Sequence, residues 1–310
     1  MRNDRTPITV TLPEGVRCAI AMTYDTDMAA GYAPDGICHG RTMPQVKDYM
    51  LRLCATAEEH RVRLHFFQIC NGLEATEDVG YLREVIDRGH DLDSHTYSHQ
   101  PLVTDDLGML DFELRRANEL LAERLGRTST VLRGPGGYVG GLRGRTENQQ
   151  VILENGFRWV SCEYNFRTTP ASYMDATSGP AEEVCYAYDS GLVELPIMSL
   201  TDRNFFDSLM CVDRPVYDAW RRELGHRALP ADWQKAPWTR EDALERWIEY
   251  NLATAEFAYE RGLLWVVAWH PYTHLVHDPQ NRALPALLGW AAARDDVAVC
   301  TLRDAVAWLG

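Results

Sequence analysis

The run Val16-Arg17-Cys18-Ala19-Ile20-Ala21-Met22-Thr23-Tyr24-Asp25-Thr26-Asp27 decides how the rest of the chain is read. Val16 to Thr23 is a short, mostly apolar run, the pattern of a strand buried on both faces. Two carboxylates follow at once, in the order Asp-x-Asp. In parallel α/β folds the reactive groups gather at the carboxyl ends of the strands, so a buried strand ending in acids marks both an architecture and a rim.

The same rhythm continues downstream. Met43 to His60 places Val46, Met50, Leu53, Cys54 and Ala57 at helical spacing, Leu64 to Ile69 is a strand, and Val79 to Arg88 is a helix stopped by Gly89. Leu92 centres a third strand, Leu107 to Leu125 is an amphipathic helix stopped by Gly126, and Thr130 to Leu132 is a fourth strand before a glycine-rich turn. Asn148 to Asn155 and Trp159 to Cys162 repeat the step. Leu192 to Met198 and Leu264 to Trp269 read as strands around the long helix Arg240 to Arg261. Leu284 to Arg294, Val297 to Thr301 and Leu302 to Leu309 close the chain as helix, strand and helix. The alternation predicts a βα-repeating α/β fold, the length fits one α/β barrel with insertions, and with no linker to cut the chain it reads as a single domain over 1–310. Two loop insertions interrupt it, at 28–42 and at 200–239, the second rich in aromatics (Phe205, Phe206, Trp220, Trp233, Trp238). Long loops in compact domains are commonly lids or interfaces, which predicts a homo-oligomer.

Composition narrows the function. The 310 residues carry 31 Lys+Arg against 45 Asp+Glu, a net charge of −14, which repels a phosphate backbone and argues against nucleic-acid binding. No window approaches the roughly 20 apolar residues of a membrane span. The start, MRNDRTPITVTLPEGVR, has no apolar core of a signal peptide. The eight cysteines are scattered without a C-x-x-C pair and mostly sit among apolar neighbours, which reads as reduced, buried thiols of a cytoplasmic protein.

Four strand ends deliver polar chemistry to one rim: Asp25 and Asp27, then Ser94-His95-Thr96-Tyr97-Ser98-His99, then Arg133-Gly134-Pro135-Gly136-Gly137, then His270-Pro271. His95 and His99 are four apart, so in a helical turn both imidazoles share one face and one metal. Two histidines and one carboxylate leave coordination positions open, as in catalytic rather than structural sites. The pattern points to metal-assisted hydrolysis, with Asp27, His95 and His99 as ligands, Asp25 as base and His270 as acid. Arg133 would pair with the base and hold it ionised. Each group also has a plainer reading: capping for the aspartates, loop or strand-end hydrogen bonding for the histidines, a surface ion pair for Arg133. His274 and His277 read as solvated loop residues, and Asp35 and His39 as ordinary loop residues.

The chain resembles the polysaccharide deacetylase (NodB-homology) family. The resemblance rests on Thr23-Tyr24-Asp25, His95-Thr96-Tyr97-Ser98-His99, Arg133-Gly134-Pro135-Gly136-Gly137 and Trp269-His270-Pro271, with Phe66-Phe67 and Gly89-His90-Asp91 between them. It implies a distorted, seven-stranded (β/α) barrel that removes acyl groups with zinc; cobalt, nickel or manganese suit the same ligands. It also implies Asp25 as base, His95 and His99 as metal ligands, Arg133 as the base's partner and His270 as acid. Tyr24, Pro135, Gly136 and Glu163 would line the substrate.

The chain departs from the family pattern in three places. Thr26 follows Asp25 where the family has its metal aspartate, so Asp27 takes that part, as in a D-x-D subgroup that includes cytoplasmic hydrolases of small amides and cyclic imides. Gly136 replaces a common aromatic wall. The aspartate that tunes the acid in the family has only Glu163 as a local counterpart. The expectation is a hydrolase of C–N amide bonds acting on a small N-acylated sugar or biosynthetic intermediate. The rivals are a cyclic imide or allantoin-type amidohydrolase, with or without metal, and a catalytically silent sugar-binding module.

Overall fold

Every residue from Cys18 to Asp25 is buried, so this segment cannot be a surface strand and must be flanked on both faces. The computed structural model describes residues 5–26, 42–75, 78–138, 140–163, 185–203, 205–206 and 240–309. In chain order its first elements are β1 (Arg5–Ile8), β2 (Cys18–Asp25), α1 (Pro44–Glu59), β3 (His65–Gln68), α2 (Asn71–Ala75), α3 (Gly80–Asp87) and β4 (Asp91–Ser94). Next come α4 (Leu107–Leu125), β5 (Val131–Tyr138), α5 (Thr146–Glu154), β6 (Trp159–Glu163), β7 (Cys185–Tyr188) and β8 (Val193–Glu194). The last are α6 (Arg240–Arg261), β9 (Leu264–Trp269), α7 (Pro271–His277), α8 (Ala283–Ala292), β10 (Val297–Cys300) and α9 (Leu302–Val306).

Strands β2, β3, β4, β5, β6 and β8 pair in parallel, each with the next, and β9 pairs with β2 from Ala19↔Leu264 to Tyr24↔Trp269. The ring closes beyond β8. There Leu195 and Ile197 donate backbone N–H groups to Val160 and Glu163 on β6, and the Met198 N–H reaches the Val266 carbonyl on β9 at 3.3 Å. Seven strands thus form the expected barrel, distorted because β8 is two residues long and its register with β9 rests on that bond. Leu192 to Met198, expected as one strand, is regular only over Val193–Glu194 for this reason. Outside the ring, β10 pairs with Cys18–Ala21 of β2, and β1 and β7 form an antiparallel flap on β8. Those two flanking strands, and the helices α2 and α7, are absent from the sequence reading because each is short and lacks a clear period.

Helices α1, α6 and α8 cover the barrel, their buried faces joining Trp247, Trp265, Trp269, Phe66 and Phe67 in one core. Phe205 and Phe206 pack on Trp247 at 5.0 and 5.7 Å, so this end of the aromatic insertion is core. The remainder, with Trp220, Trp233 and Trp238, lies outside the described residues, as do Asp35 and His39 of the first insertion. Cys18, Cys54, Cys70, Cys162, Cys185 and Cys300 are free and buried; Cys38 and Cys211 lie outside the described residues.

Candidate active site

Side chains from β2 and β5 meet although two strands separate them around the ring, so their contact crosses the barrel interior. Arg133 Nη2 donates to Thr23 Oγ1 at 2.6 Å, and Arg133 Nε stands 3.6 Å from Asp25 Oδ1. The guanidinium is fully buried and lies over the Phe67 ring at 4.8 Å. Burying an arginine this deeply requires a carboxylate and an aromatic face, and both are present. Asp25 is 6% exposed, and its Oδ1 has no hydrogen-bond donor among the described residues. Thr26 turns away: its N–H bonds to the Phe67 carbonyl, and its hydroxyl takes the Ile69 N–H. Asp27 lies outside the described residues.

The histidine motif leaves β4 as an irregular loop, not the helical turn expected from the four-residue spacing. Thr96 and His99 both adopt left-handed backbone, at φ of 64°. That conformation is strained for a β-branched residue such as Thr96. The loop is held by Cys70 and Asn71, which donate to the carbonyls of Thr96 and Tyr97, and by Glu113 of α4, whose carboxylate takes the Ser98 N–H at 2.7 Å and the Ser98 hydroxyl at 2.6 Å. The result brings the His95 and His99 rings to 4.8 Å, inclined at 75°.

The His95 Nδ1 bonds to the Arg133 carbonyl at 2.9 Å. A carbonyl only accepts, so Nδ1 carries the proton and Nε2 presents a lone pair, the tautomer of a metal-ligating histidine. That Nε2 stands 3.9 Å from Asp25 Oδ2, too far for a hydrogen bond. A bare imidazole nitrogen, a second imidazole and a carboxylate are donor types that suit a divalent cation. Among the described residues no group of three such side chains is close enough to hold one, the third expected ligand being Asp27.

On the neighbouring strand, His270 follows β9. Its Nδ1 meets Asp202 Oδ1 at 2.5 Å, and its backbone N–H donates to Asp202 Oδ2 at 2.8 Å. The carboxylate beside the expected acid is therefore Asp202, not Glu163. Asp202 is 68 residues away in sequence and no motif marks it, which is why sequence reading passed over it. His274, expected on a solvated loop, is fully buried on α7 with its Nε2 3.4 Å from Asp202 Oδ2. His277 also lies on α7, its ring stacked on Phe206 at 4.3 Å.

The expected substrate-lining residues divide. Gly136 is exposed at the mouth, while Pro135 is buried. Tyr24 is fully buried, stacked on Phe66 and edge-on to Trp269, so it belongs to the packing behind the rim. Glu163 accepts from Tyr186 Oη at 2.5 Å and faces Arg5 at 3.8 Å, in a buried cluster with Tyr188 and Glu194.

No curated protein matches the sequence. Residues 17–151 match the family model for polysaccharide deacetylase. Among solved structures, one from Mycobacterium smegmatis assigned as a polysaccharide deacetylase is similar at a TM-score of 0.63 and 19% identity, over 96% of this chain and 91% of that one. One from Pseudomonas aeruginosa PAO1, with the same assignment, is similar at 0.57 and 16%, over 96% and 92%. The Puue allantoinase is similar at 0.60 and 15%, over 98% and 93%. At such identities these likenesses speak for the fold. The matched segment carries Asp25, His95, His99 and Arg133 in the arrangement described above, and over these residues the chain is similar to the polysaccharide deacetylase family.

Proposed function

We propose that this protein is a metal-dependent amidohydrolase that removes the acyl group from a small N-acylated sugar or biosynthetic intermediate. One observation carries the reading. Tyr24 pairs with Trp269 across β2 and β9, so Asp25 and His270, each one residue further on, stand side by side at the ends of neighbouring strands. A base and an acid so placed flank a single acyl–nitrogen bond.

His95, His99 and Asp27 would hold the cation, with zinc as the proposed ion and cobalt, nickel or manganese as ions of the same preference. When bound, it would supply Lewis-acid polarisation of the acyl carbonyl and make the attacking water more acidic. Asp25 takes the water proton as the oxygen attacks the carbonyl carbon. Arg133, with Nε 3.6 Å from Oδ1, keeps that carboxylate aimed. His270, with Nδ1 committed to Asp202, presents Nε2 at the mouth and gives a proton to the leaving nitrogen as the C–N bond breaks. The products are a carboxylate and an amine. The exposed Gly136 leaves one wall without a side chain, which supports a small or flat substrate.

A cyclic imide or allantoin-type ring has the same amide chemistry and forms the second substrate class to assay. No described helix is long and apolar enough to cross a membrane. A cytoplasmic location and self-association through the 200–239 insertion remain expectations from the sequence.

The test is hydrolysis of N-acetylated amino sugars and of cyclic imides, before and after exhaustive chelation. Turnover lost on chelation and restored by zinc or cobalt is the expected result. Full activity of the metal-stripped protein would overturn the metal role. Sugar binding that persists without any turnover, unchanged by Asp25→Asn, would favour a silent binding module.

A further inference from the structure

His274 sits one helical turn beyond His270 and is fully buried. Its Nε2 faces Asp202 Oδ2 at 3.4 Å, while Asp202 Oδ1 takes His270 Nδ1 at 2.5 Å. One carboxylate therefore stands between two imidazoles. The rings around His274 are Trp269 at 4.6 Å, Tyr24 at 6.1 Å and Trp247 at 6.3 Å. The Tyr24 hydroxyl and the indole N–H groups of Trp247 and Trp269 are buried without hydrogen-bond partners among the described residues.

Burial above all, with Tyr49, Asp202 and Asp278 adding to it, pushes the Tyr24 pKa well up, so this group keeps its proton. Neither His274 ring nitrogen has a hydrogen-bond partner among the described residues, and Nε2 stands at ion-pair distance from Asp202 Oδ2. A neutral imidazole with one nitrogen toward a carboxylate keeps its proton on that nitrogen, here Nε2. Burial lowers the His274 pKa against the opposing pull of Asp202 and Asp278, and the His270 charge lowers it further, so the ring is neutral at pH 7. The titratable groups facing this cluster are Asp202, His270 and Asp278, with Tyr24 from β2 and Tyr49 and Cys54 from α1.

We propose that His274 is a positioning residue for the proton donor: it turns its Nε2 edge to Asp202, shares that carboxylate's charge, and so makes His270 release its proton more readily. This rests on the reading of His270 as the acid. A carboxylate that serves one imidazolium alone holds the proton harder than one divided between two donors. Removing the second donor therefore raises the proton affinity of His270.

The experiment is a pH titration of the His270 imidazole by NMR in the full-length protein, its signal assigned with His270→Gln, alongside pH profiles of kcat/KM. His274→Phe is expected to move the His270 midpoint and the basic limb of the profile upward by about half to one pH unit. His274→Gln, whose amide nitrogen replaces Nε2, is expected to keep the original profile. In an Asp202→Asn background, His274→Phe should add no further shift.

An unmoved midpoint in folded His274→Phe, or a shift that persists with Asn at 202, overturns the proposal. Should the Phe variant melt, His274→Asn, whose shorter amide cannot place its nitrogen at the Nε2 position, takes its place with the same expected shift. The midpoint is read without turnover, so the two readings fail separately. Unchanged activity in His270→Gln would refute the acid, and an unmoved midpoint would refute His274.

Discussion

At the residue scale, Asp25 and Glu194 show how burial gives two carboxylates different behaviour. Asp25 is buried beside a guanidinium, so Asp25→Asn removes the proposed base while leaving the shape. We expect kcat/KM to fall by roughly 10²–10⁴, with the melting temperature little changed. Glu194 is buried with its Oε1 on the N–H groups of Cys162 and Glu163 and its Oε2 facing the Tyr188 hydroxyl. Burial, with the nearby Glu163 charge adding to it and those N–H groups opposing, lifts its pKa from 4.5 to about 7. The folded protein thus keeps a proton that the unfolded chain has lost between these values. Stability from this group is full at low pH and declines as pH rises toward 7, by about 3 kcal/mol at most. Glu194→Gln keeps the shape and removes the titration. Denaturant unfolding should show its stability falling less than the wild type's between pH 5 and pH 8; parallel curves would refute this assignment.

At the element scale, the His95–His99 loop is irregular, and its shape depends on α4. Glu113 of that helix is 3% exposed and takes two hydrogen bonds from Ser98. Glu113→Ala leaves both donors unpaired and frees the left-handed His99 to drift. Zinc affinity of the stripped protein, measured by calorimetry, should drop by about 10–100-fold. An unchanged affinity would mean that the loop is held by its β4 and α2 contacts alone. The strand pair β5 and β6 makes a different demand. A Cβ on Gly134 would lie 2.4 Å from the Cys162 Cβ, so Gly134→Ala must push the strands apart. The expected cost is about 1–3 kcal/mol, seen as a lower denaturant midpoint.

At the scale of the whole molecule, a buried column runs from the mouth to the floor of the barrel. Arg133 lies over Phe67, Phe67 stacks on His65 at 4.3 Å, and His65 Nε2 meets Asp93 at 2.8 Å. Arg303 of the C-terminal helix α9 closes the column with two 2.7 Å bonds to Asp93. Burial works to raise the Asp93 pKa, and the bonds from Arg303 and His65 outweigh it, so the group stays below its ordinary 3.8. Its stabilisation is present above that pH and is lost as acid protonates it. Arg303→Met leaves the Asp93 charge buried with one partner fewer. We expect a loss of about 3–5 kcal/mol at pH 7 by chemical denaturation. A smaller loss at pH 3 should follow, because there the wild type has already lost part of the interaction.

Local signals made much of this legible. The apolar run from Cys18 and the acids at its end, the helices with clear periods, and the polar residues after β4 and β9 and within β5 follow from alternation and burial, which act over a few residues. Asp25, His95, His99, Arg133 and His270 were therefore readable one strand at a time. Asp202, Glu113 and His274 were not, because each acts through a partner fixed only by closure of the ring. An aspartate becomes the partner of His270, and a helical glutamate a loop clamp, when tertiary packing removes water and leaves few neighbours to bond. The order of strands set by burial was written in the chain; which buried charges met was settled by the closed barrel, since desolvation makes pairing compulsory only once the interior exists.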